Sequence, residues 1–199
     1  CDTTTSSSDS RITWSGTTFG VTTGKESHPM VMVTWYGTVA YANWRSGMQG
    51  KPLCYNLATW RCNWGIGYRL PTEAEWEKAA RGGVAGHRFP WSDADTIQHA
   101  RANYYSDAYY GYDTSPTRGY HSAFNSVSPY TSPVGYFAAN GYGLYDMAGN
   151  AMEWCNDWYN GTYYGSGDDS NPHGPTSGSY RVLRDGSGGS NAPYCRCAG

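Results

Sequence analysis

The residues best suited to chemistry are the cysteines close to the end of the chain. The stretch RVLRDGSGGSNAPYCRCAG, from Arg181 to Gly199, passes from strand-like residues into a loop of Gly, Ser and Asn and contains Cys195 and Cys197. Thiolates are the ligands that soft metal ions such as copper(I) prefer. In an extended segment, two side chains at C-x-C spacing point to opposite faces, so joint binding of one ion is unfavourable.

The other chemistry-bearing residues form no catalytic pattern. The sequence contains neither a serine-nucleophile elbow nor an H-E-x-x-H motif. An isolated histidine in a loop usually makes hydrogen bonds rather than binding a metal. The histidines are scattered without ligand spacing, at His28, His87, His99, His121 and His173.

Composition narrows the class of protein. A length of 199 residues suits one domain with a sizeable core. The net charge of -2 comes without a basic run, which excludes a nucleic-acid partner. Aromatic residues make up 16% of the chain, with 19 Tyr and 9 Trp, which predicts an irregular, loop-rich fold packed by rings.

A first helix is predicted near the start of the chain. The run MVMVTW, residues 30–35, predicts a short strand that leads into this helix. Thr34 is its predicted cap, and the helix continues through YGTVAYANWRS. Residues 47–67 then predict a long loop.

A second helix is predicted in GYRLPTEAEWEKAARGG. Thr72 and Glu75 form a capping box at its start, and Gly82 and Gly83 end it. The glutamates of this helix suit capping and the helix dipole, not acid–base catalysis.

The second half of the chain is predicted to be mostly loop. Residues 87–140 contain no long periodic element, which indicates a functional or internally braced loop. The segment GYGLYDMAGNAMEWCNDWY predicts strands joined by a tight turn at 148–150, and YRVLR predicts a later strand. Residues 1–12 predict a flexible polar tail, and residues 13–199 predict a single domain.

Several long motifs together resemble the formylglycine-generating enzyme family, whose domain is also called the sulfatase-modifying factor domain. In chain order they are HPMVMVTW, GYRLPTEAEWEKAARGG, RFPWSD, ARANYY, SPVGYFAANGYGLYDMAGNAMEWCNDWY and SYRVLRDGS, from His28 to Ser187. The resemblance implies an α+β, C-type-lectin-like single domain with two main helices, short strands and much ordered loop. It also implies one of two roles. One branch of the family uses copper to oxidise a sulfatase cysteine to formylglycine, and a non-catalytic branch includes the variable ligand-binding proteins of diversity-generating retroelements.

The copper site of the enzymatic branch is incomplete in this chain. That branch places a cysteine pair just after a G-G-S turn, and counting forward from Gly186 and Ser187 puts Ser190 and Cys195 at the two positions. A serine hydroxyl stays protonated near neutral pH and is a hard ligand, so it cannot replace a thiolate. Copper is therefore not expected. Under the alternative hypothesis, an oxidase acting on a peptide cysteine, Cys195 would be the reactive thiol.

Calcium is the cofactor that the resemblance favours. Family members bind it at the G-N-x-x-E-W turn, which assigns Asn150 and Glu153 together with backbone oxygens of that turn. The alternative role for this pair is a hydrogen bond that stabilises the turn. A second family site carries over to Asn103 and the carbonyl of Tyr104, but Gly135 occupies the position of its acid.

Four cysteines are candidates for disulfides. The spacing of Cys54 and Cys62 could close a small loop in an oxidising compartment. The resemblance implies a pairing of Cys155 with Cys195, which leaves Cys197 over. Pairing of Cys155 with Cys197 stays open, because connectivity does not follow from sequence.

The non-catalytic hypothesis makes the terminal loop a binding face. Tyrosine provides rigid contact area, and Ser, Gly and Asn provide adaptable hydrogen bonding. The predicted contact residues are Gly188, Ser190, Asn191, Pro193, Tyr194 and Arg196. The ligand would be a protein or a glycan at a surface. A third hypothesis is a structural surface protein that self-associates through an open sheet edge.

The first residues of the sequence suggest a cellular location for the protein. Cys1 followed by DTTTSSSDS predicts either a lipidated cysteine with a polar tether, which would place the protein at the cell surface, or a fragment boundary. Lipidation would be the one link to a membrane, because no apolar run is long enough to span a bilayer. The family continues past Gly199 with a further strand, so either the chain continues or a partner supplies that strand.

Overall fold

Short strands and two helices carry the chain between long ordered loops. The structure is a computed structural model that describes residue 7, residues 9–166 and residues 170–198. The elements are β1 (Ile12–Trp14), β2 (Phe19–Val21), α1 (Trp35–Met48), β3 (Tyr55–Asn56), β4 (Arg61–Cys62), α2 (Glu73–Arg81), β5 (Glu153–Trp158) and β6 (Arg181–Arg184). Two short 3-10 turns cover Tyr163–Ser166 and Ala192–Cys195. In the described residues the strands pair as β1 with β2, β3 with β4, and β5 with β6.

The contacts within the chain define two compact units, each discontinuous in sequence. Unit 1 takes the described residues of Cys1–Val21, Met30–Glu73 and Trp154–Val182. Unit 2 takes those of Thr22–Pro29, Ala74–Glu153 and Leu183–Gly199. Neither helix is long and apolar enough to cross a membrane, as far as the described residues extend.

Unit 1 is built around α1, which begins where the sequence predicted. The hydroxyl oxygen of Thr34 accepts a hydrogen bond from the N–H of Gly37 at 3.1 Å, which satisfies one of the free donors at the helix start. Asn43, on the buried face of α1, bonds both the N–H and the carbonyl of Tyr55 at 3.0 and 2.7 Å. These bonds hold β3 against the helix.

Two predictions for unit 1 were wrong in detail. Residues 30–34 form no strand, and the predicted long loop at 47–67 contains the antiparallel hairpin β3–β4. The hairpin strands are too short to give a periodic signal in the sequence. Its turn is stabilised locally, because the amide oxygen of Asn56 accepts the N–H groups of Ala58 and Thr59 at 2.9 and 3.1 Å.

Unit 2 confirms the prediction of a long loop braced by side chains. Its core combines residues from distant loop segments: Phe89, Ile97, Ala102, Tyr104, Ala148, Ala192 and Cys195. The buried carboxylate of Asp113 accepts hydrogen bonds from Tyr104, Ser106 and the N–H of Asp107 at 2.6–2.9 Å. Such a satisfied polar centre replaces the backbone ladder that a helix or sheet would supply.

The turn predicted at 148–150 is present, but only one strand adjoins it. Gly149 and Asn150 both adopt left-handed backbone conformations, with φ of 86° and 76°. A Cβ on Gly149 would lie 2.2 Å from the carbonyl oxygen of Asn103, so only glycine fits. β5 begins at Glu153, whereas residues 141–152 form turns and irregular backbone instead of the predicted preceding strand.

Candidate functional site

A pair of asparagines in unit 2 positions the loops that carry the predicted site. The carbonyl of Asn103 accepts the N–H of Asn150 at 2.8 Å, and the side-chain amide of Asn103 donates to the carbonyl of Tyr130 at 2.7 Å. The carbonyl of Asn150 in turn accepts the N–H of Gly188 at 3.1 Å. The pair therefore fixes the start of the terminal loop against the 148–150 turn.

The two positions that correspond to the copper cysteines lie side by side against Gly186. A Cβ on Gly186 would meet the sulfur of Cys195 at 2.8 Å and the Cβ of Ser190 at 3.1 Å. The Ser190 hydroxyl is already in hydrogen bonds with the N–H and the hydroxyl of Ser187, each at 3.0 Å. Cys195 is fully buried, and burial, followed by the charge of Asp185, raises the pKa of its thiol well above the ordinary value.

These donors do not fit a copper(I) ion. Linear ligation requires two thiolates, whereas the chain offers a hydroxyl and a thiol whose environment opposes ionisation. Cys197 does not substitute, because it is also buried and burial raises the pKa of its thiol to about 11. Cys195 ends a 3-10 turn rather than lying in a strand, so the expected alternation of C-x-C side chains does not apply.

Fewer of the predicted contact residues are accessible in the structure than the sequence analysis assumed. Gly188 is buried, and a Cβ there would lie 2.4 Å from the carbonyl oxygen of Tyr130. Ser190 is only 9% exposed. These two residues therefore hold the loop in place and offer no contact surface, which corrects their assignment. Tyr194, in contrast, is 65% exposed.

The other predicted contact residues are partly accessible. Asn191, Pro193 and Arg196 are half-buried, and Arg196 donates from Nε to the carbonyl of Pro193 at 3.0 Å. The backbone of Asn191 pairs with that of Tyr105 in an isolated β-bridge. The loop is thus held by its backbone while several of its side chains reach the surface.

An aromatic cluster that sequence analysis missed extends this face. Tyr120 packs edge-to-face on Tyr105 with ring centroids 4.9 Å apart, and its centroid lies 4.2 Å from that of Tyr130. The exposed Gly189 lies against Tyr120, since a Cβ on it would be 3.6 Å from the ring. We call Tyr120, Gly189, Asn191 and Tyr194 the C-terminal face. No local pattern in the sequence links Tyr120 to this loop.

A second feature of unit 2 is a cleft of about 470 Å³ at the 148–150 turn. Its lining includes Glu153 and Asn150, as the calcium assignment required, and also Asp146. Burial raises the pKa of the Asp146 carboxyl, whereas Glu153, at the start of β5, is exposed. Trp76 donates to Glu153 at 2.6 Å, but one carboxylate oxygen of Asp146 is buried without a hydrogen-bond partner.

The side-chain amide of Asn150 is already engaged in hydrogen bonds within the protein. Its amide oxygen accepts the N–H of Ser132 at 2.8 Å, and its NH₂ group donates to the carbonyl of Ser132 at 3.3 Å. Asp146, which sequence reasoning missed, supplies a negative oxygen instead. In the part of the chain that is described, no three His, Cys, Asp or Glu side chains are arranged to hold a metal, so backbone carbonyls would have to complete the coordination of a calcium ion.

The second predicted calcium position lacks an acid. The carbonyl of Tyr104 accepts a hydrogen bond from Nε2 of His99 at 3.1 Å, and Gly135 lies at the position of the acid. The amide oxygen of Asn103 is buried without a partner. One available oxygen does not define a calcium site.

The predicted disulfides are not formed in the structure. Cys54 and Cys62 are free thiols, and Cys54 donates weakly to the carbonyl of Gly65 at 3.5 Å. Cys195 and Cys197 are also free, which leaves neither proposed partner bonded to Cys155. Cys195 instead fills the space beside Gly186 and Gly149.

Solved structures identify the class of protein that this fold and these loops define. The chain superposes on Treponema denticola variable protein 1 with a TM-score of 0.64 and 31% identity, over 87% of this chain and 64% of that chain. It superposes on PvdO from Pseudomonas aeruginosa with a TM-score of 0.60 and 28% identity, over 86% and 54% of the two chains. The fold is α+β and C-type-lectin-like, as predicted.

Sequence comparison then gives the family. Residues 4–199 match the family described as Sulfatase-modifying factor enzyme 1-like domain. The formylglycine-generating enzyme of Streptomyces coelicolor is 39% identical over 174 residues, which is 87% of this chain and 46% of that enzyme. The serine/threonine-protein kinase pkn1 of Chlamydia pneumoniae is 38% identical over 192 residues, 96% of this chain and 24% of the relative. The chain belongs to the formylglycine-generating enzyme family and spans less than half the length of these relatives.

Proposed function

We propose that the chain is a non-catalytic binding protein that holds a protein or glycan ligand on its C-terminal face. The observation that carries the proposal is the replacement of the family's cysteine pair by Ser190 and a buried, protonated Cys195 beside a tyrosine-rich surface. Oxidation of a peptide cysteine at this position would need a metal that these donors do not hold.

The composition and rigidity of the C-terminal face support recognition. Tyr194 and Tyr120 provide amphipathic rings with few rotatable bonds, and Asn191 provides a side chain that both donates and accepts. The backbone beneath is fixed by the bond from the N–H of Tyr105 to the carbonyl of Ser190 at 2.8 Å. A pre-ordered loop loses little conformational entropy when a ligand binds.

The likeness to a variable protein is consistent with the same role. Treponema denticola variable protein 1 shares the fold over 87% of this chain, and the formylglycine-generating enzyme of Streptomyces coelicolor is 39% identical over the same share of the chain. Fold alone does not select between binding and catalysis, so the site residues must decide. Display at a cell surface is part of the proposal, and the predicted lipidation falls on Cys1, which lies outside the described residues.

A binding screen with matched variants tests the proposal. The full chain, tetramerised on streptavidin to raise avidity, is applied to a glycan microarray and to an array of extracellular proteins. Tyr194→Ala should weaken any signal by about ten-fold or more, because exposed aromatic anchors dominate such interfaces. Tyr159→Ala removes a tyrosine of unit 1 that is 61% exposed and should leave the signal unchanged.

The screen can also contradict the proposal. If no ligand in the screen binds more weakly to Tyr194→Ala than to the parent chain, the proposal is contradicted. Oxidation of a cysteine-containing peptide by the copper-supplemented chain, lost in Cys195→Ser, would restore the enzymatic hypothesis.

A further inference from the structure

Unit 1 contains a cleft that shares no lining residue with the C-terminal face or with the cleft at the 148–150 turn. Its volume is about 480 Å³, within the range of small-ligand pockets. The cleft is lined by the loop after β3, by β4, by residues of β5 and β6, and by the segment 173–176. Aromatic side chains form much of its wall: Trp60, Trp64, Trp158 and His173.

The aromatic wall is held in place at some cost in backbone strain. Trp60 and Trp64 adopt left-handed backbone conformations, with φ of 58° and 51°, which bulky residues rarely do. The ring of Trp64 stacks on that of His173 with centroids 3.7 Å apart and planes 9° from parallel. Strained residues that persist in a structure are commonly held there for function.

A close approach of backbone to side chain fixes the segment 173–176. Gly174 has φ of 74°, and a Cβ there would lie 2.8 Å from the Cβ of Asp157. Any other residue would push the 173–176 segment away from β5. The glycine therefore brings His173 and Thr176 to the edge of the cleft.

The cleft carries positive charge without a carboxylate partner. Its lining includes Arg61 and Arg181 and no Asp or Glu. Neither arginine forms an ion pair in the described part of the chain. The charge of Asp157 acts on Arg181, but its carboxylate accepts the N–H of Glu73 at 3.0 Å and does not line the cleft.

The guanidinium group of Arg181 is held in one orientation although it has no ion-pair partner. Its guanidinium carbon lies 3.7 Å from the ring centroid of Trp35 and 3.6 Å from that of Trp158, so two indoles sandwich it. Its Nη1 donates to the carbonyl of Asn156, and its Nε is buried without a partner. The cation–π contacts replace part of the hydration that the Arg181 guanidinium loses on burial. A bound anion would supply the remaining stabilisation of its charge.

We propose that this cleft binds an acidic saccharide, with the carboxylate of the sugar at Arg61 and Arg181 and its ring against the aromatic wall. Arginine recognises carboxylates through paired donors, which a neutral sugar does not use. The exposed hydroxyl of Thr176 is available for a ring hydroxyl. The site is independent of the C-terminal face, so either proposal can fail without the other.

Ligand-observed NMR tests the site with three probes and the full chain. Methyl β-D-glucuronide carries both the ring and the carboxylate, methyl β-D-glucoside carries the ring alone, and acetate carries the carboxylate alone. The glucuronide should bind at least about ten-fold more tightly than either partial probe, with an affinity that falls as salt increases.

Variants connect the binding to the cleft. Arg61→Gln changes an exposed residue and should weaken glucuronide binding about ten-fold without unfolding the protein. Lys78→Gln removes an exposed positive charge that does not line the cleft and should have no effect. Equal binding of glucuronide and glucoside, equal binding of glucuronide and acetate, no binding of glucuronide, or unchanged binding in Arg61→Gln would each overturn the proposal.

Discussion

The carboxylate of Asp185 accepts hydrogen bonds from the backbone N–H of Gly149 and from its own neighbour Gly186, the latter at 2.8 Å. One oxygen thereby ties the start of the terminal loop to the 148–150 turn. The other oxygen of Asp185 is buried without a partner. Burial raises the pKa of this carboxyl well above its ordinary value, and the charge of Glu153 adds to the shift.

Replacing Asp185 by Asn should stabilise the protein at neutral pH. The amide oxygen can still accept both N–H groups, while the buried charge is removed. Because the folded-state pKa is raised, the ionised carboxyl costs stability above the ordinary aspartate pKa, and this cost disappears as the pH falls. Urea unfolding in EDTA should show a gain of about 1–3 kcal/mol at pH 7.5 that shrinks towards pH 4.

A surface aspartate of unit 2 provides a control with the opposite sign. Arg101 holds the pKa of Asp93 down at about 2, through hydrogen bonds of 2.6 Å. Its stabilising effect is present above the unfolded pKa and is lost as the pH falls towards 2. Asp93→Asn should therefore lower stability at neutral pH, and a decrease in both variants would contradict the assignment of Asp185.

Calcium should stabilise unit 2 through the cleft at Glu153 and Asp146. A ligand that binds only the folded state stabilises it by about 2.7 kcal/mol at a hundred-fold excess over Kd. For a chain of this size, that corresponds to a rise in Tm of several degrees. The measurement is thermal unfolding in calcium chloride, magnesium chloride and EDTA.

Variants locate the calcium effect. Glu153→Gln or Asp146→Asn should remove most of the rise in Tm, because each deletes a negative oxygen of the cleft. Glu77→Gln breaks only the surface pair with Arg81 and should keep the response. A response that survives in Glu153→Gln, or that magnesium reproduces, would show that calcium acts elsewhere or without selectivity.

Local signals in the sequence predicted the helices and the strand β6, but not the hairpin β3–β4. Thr34 caps α1 through its hydroxyl oxygen, and a threonine just before an apolar helical segment is a recognisable cap signal in the sequence. The hairpin β3–β4 depends on an Asn56 turn and on packing against Asn43, which lies on α1. Strands of two residues carry no periodicity, so tertiary contacts decide them.

The sequence motif predicted which turn lines the cleft, but not which side-chain oxygens face it. The resemblance assigned Asn150 and Glu153 together to a calcium site, and both residues line the cleft. The side-chain amide of Asn150 bonds Ser132, however, whereas Asp146, with a left-handed backbone of its own at φ of 54°, lines the cleft. Only the folded backbone shows which of these side-chain oxygens faces the cleft.

Gly188 is expected to contribute to the stability of the fold rather than to ligand contact. Its Cβ would lie 2.4 Å from the carbonyl oxygen of Tyr130 and 3.1 Å from the side-chain nitrogen of Asn103. Gly188→Ala should lower the free energy of unfolding by about 1–3 kcal/mol, because backbone must move. Gly189→Ala, where the added Cβ is in ordinary contact at 3.6 Å from Tyr120, should cost less than about 0.5 kcal/mol. Equal losses in the two variants, measured by urea unfolding, would contradict this division.

Restoring one thiol should restore copper binding. Ser190 and Cys195 both lie against Gly186, so Ser190→Cys would place two sulfurs on the same side of the turn. A second thiol supplies the soft donor that the hydroxyl lacks, and metal binding can compensate for the burial that now keeps Cys195 protonated. Titration of the reduced chain against a colorimetric copper(I) chelator should show one-to-one binding for Ser190→Cys and none for the parent chain above the level of Cys195→Ser. Tight binding by the parent chain, lost in Cys195→Ser, would mean that the hydroxyl position is not what separates this protein from the enzymes of its family.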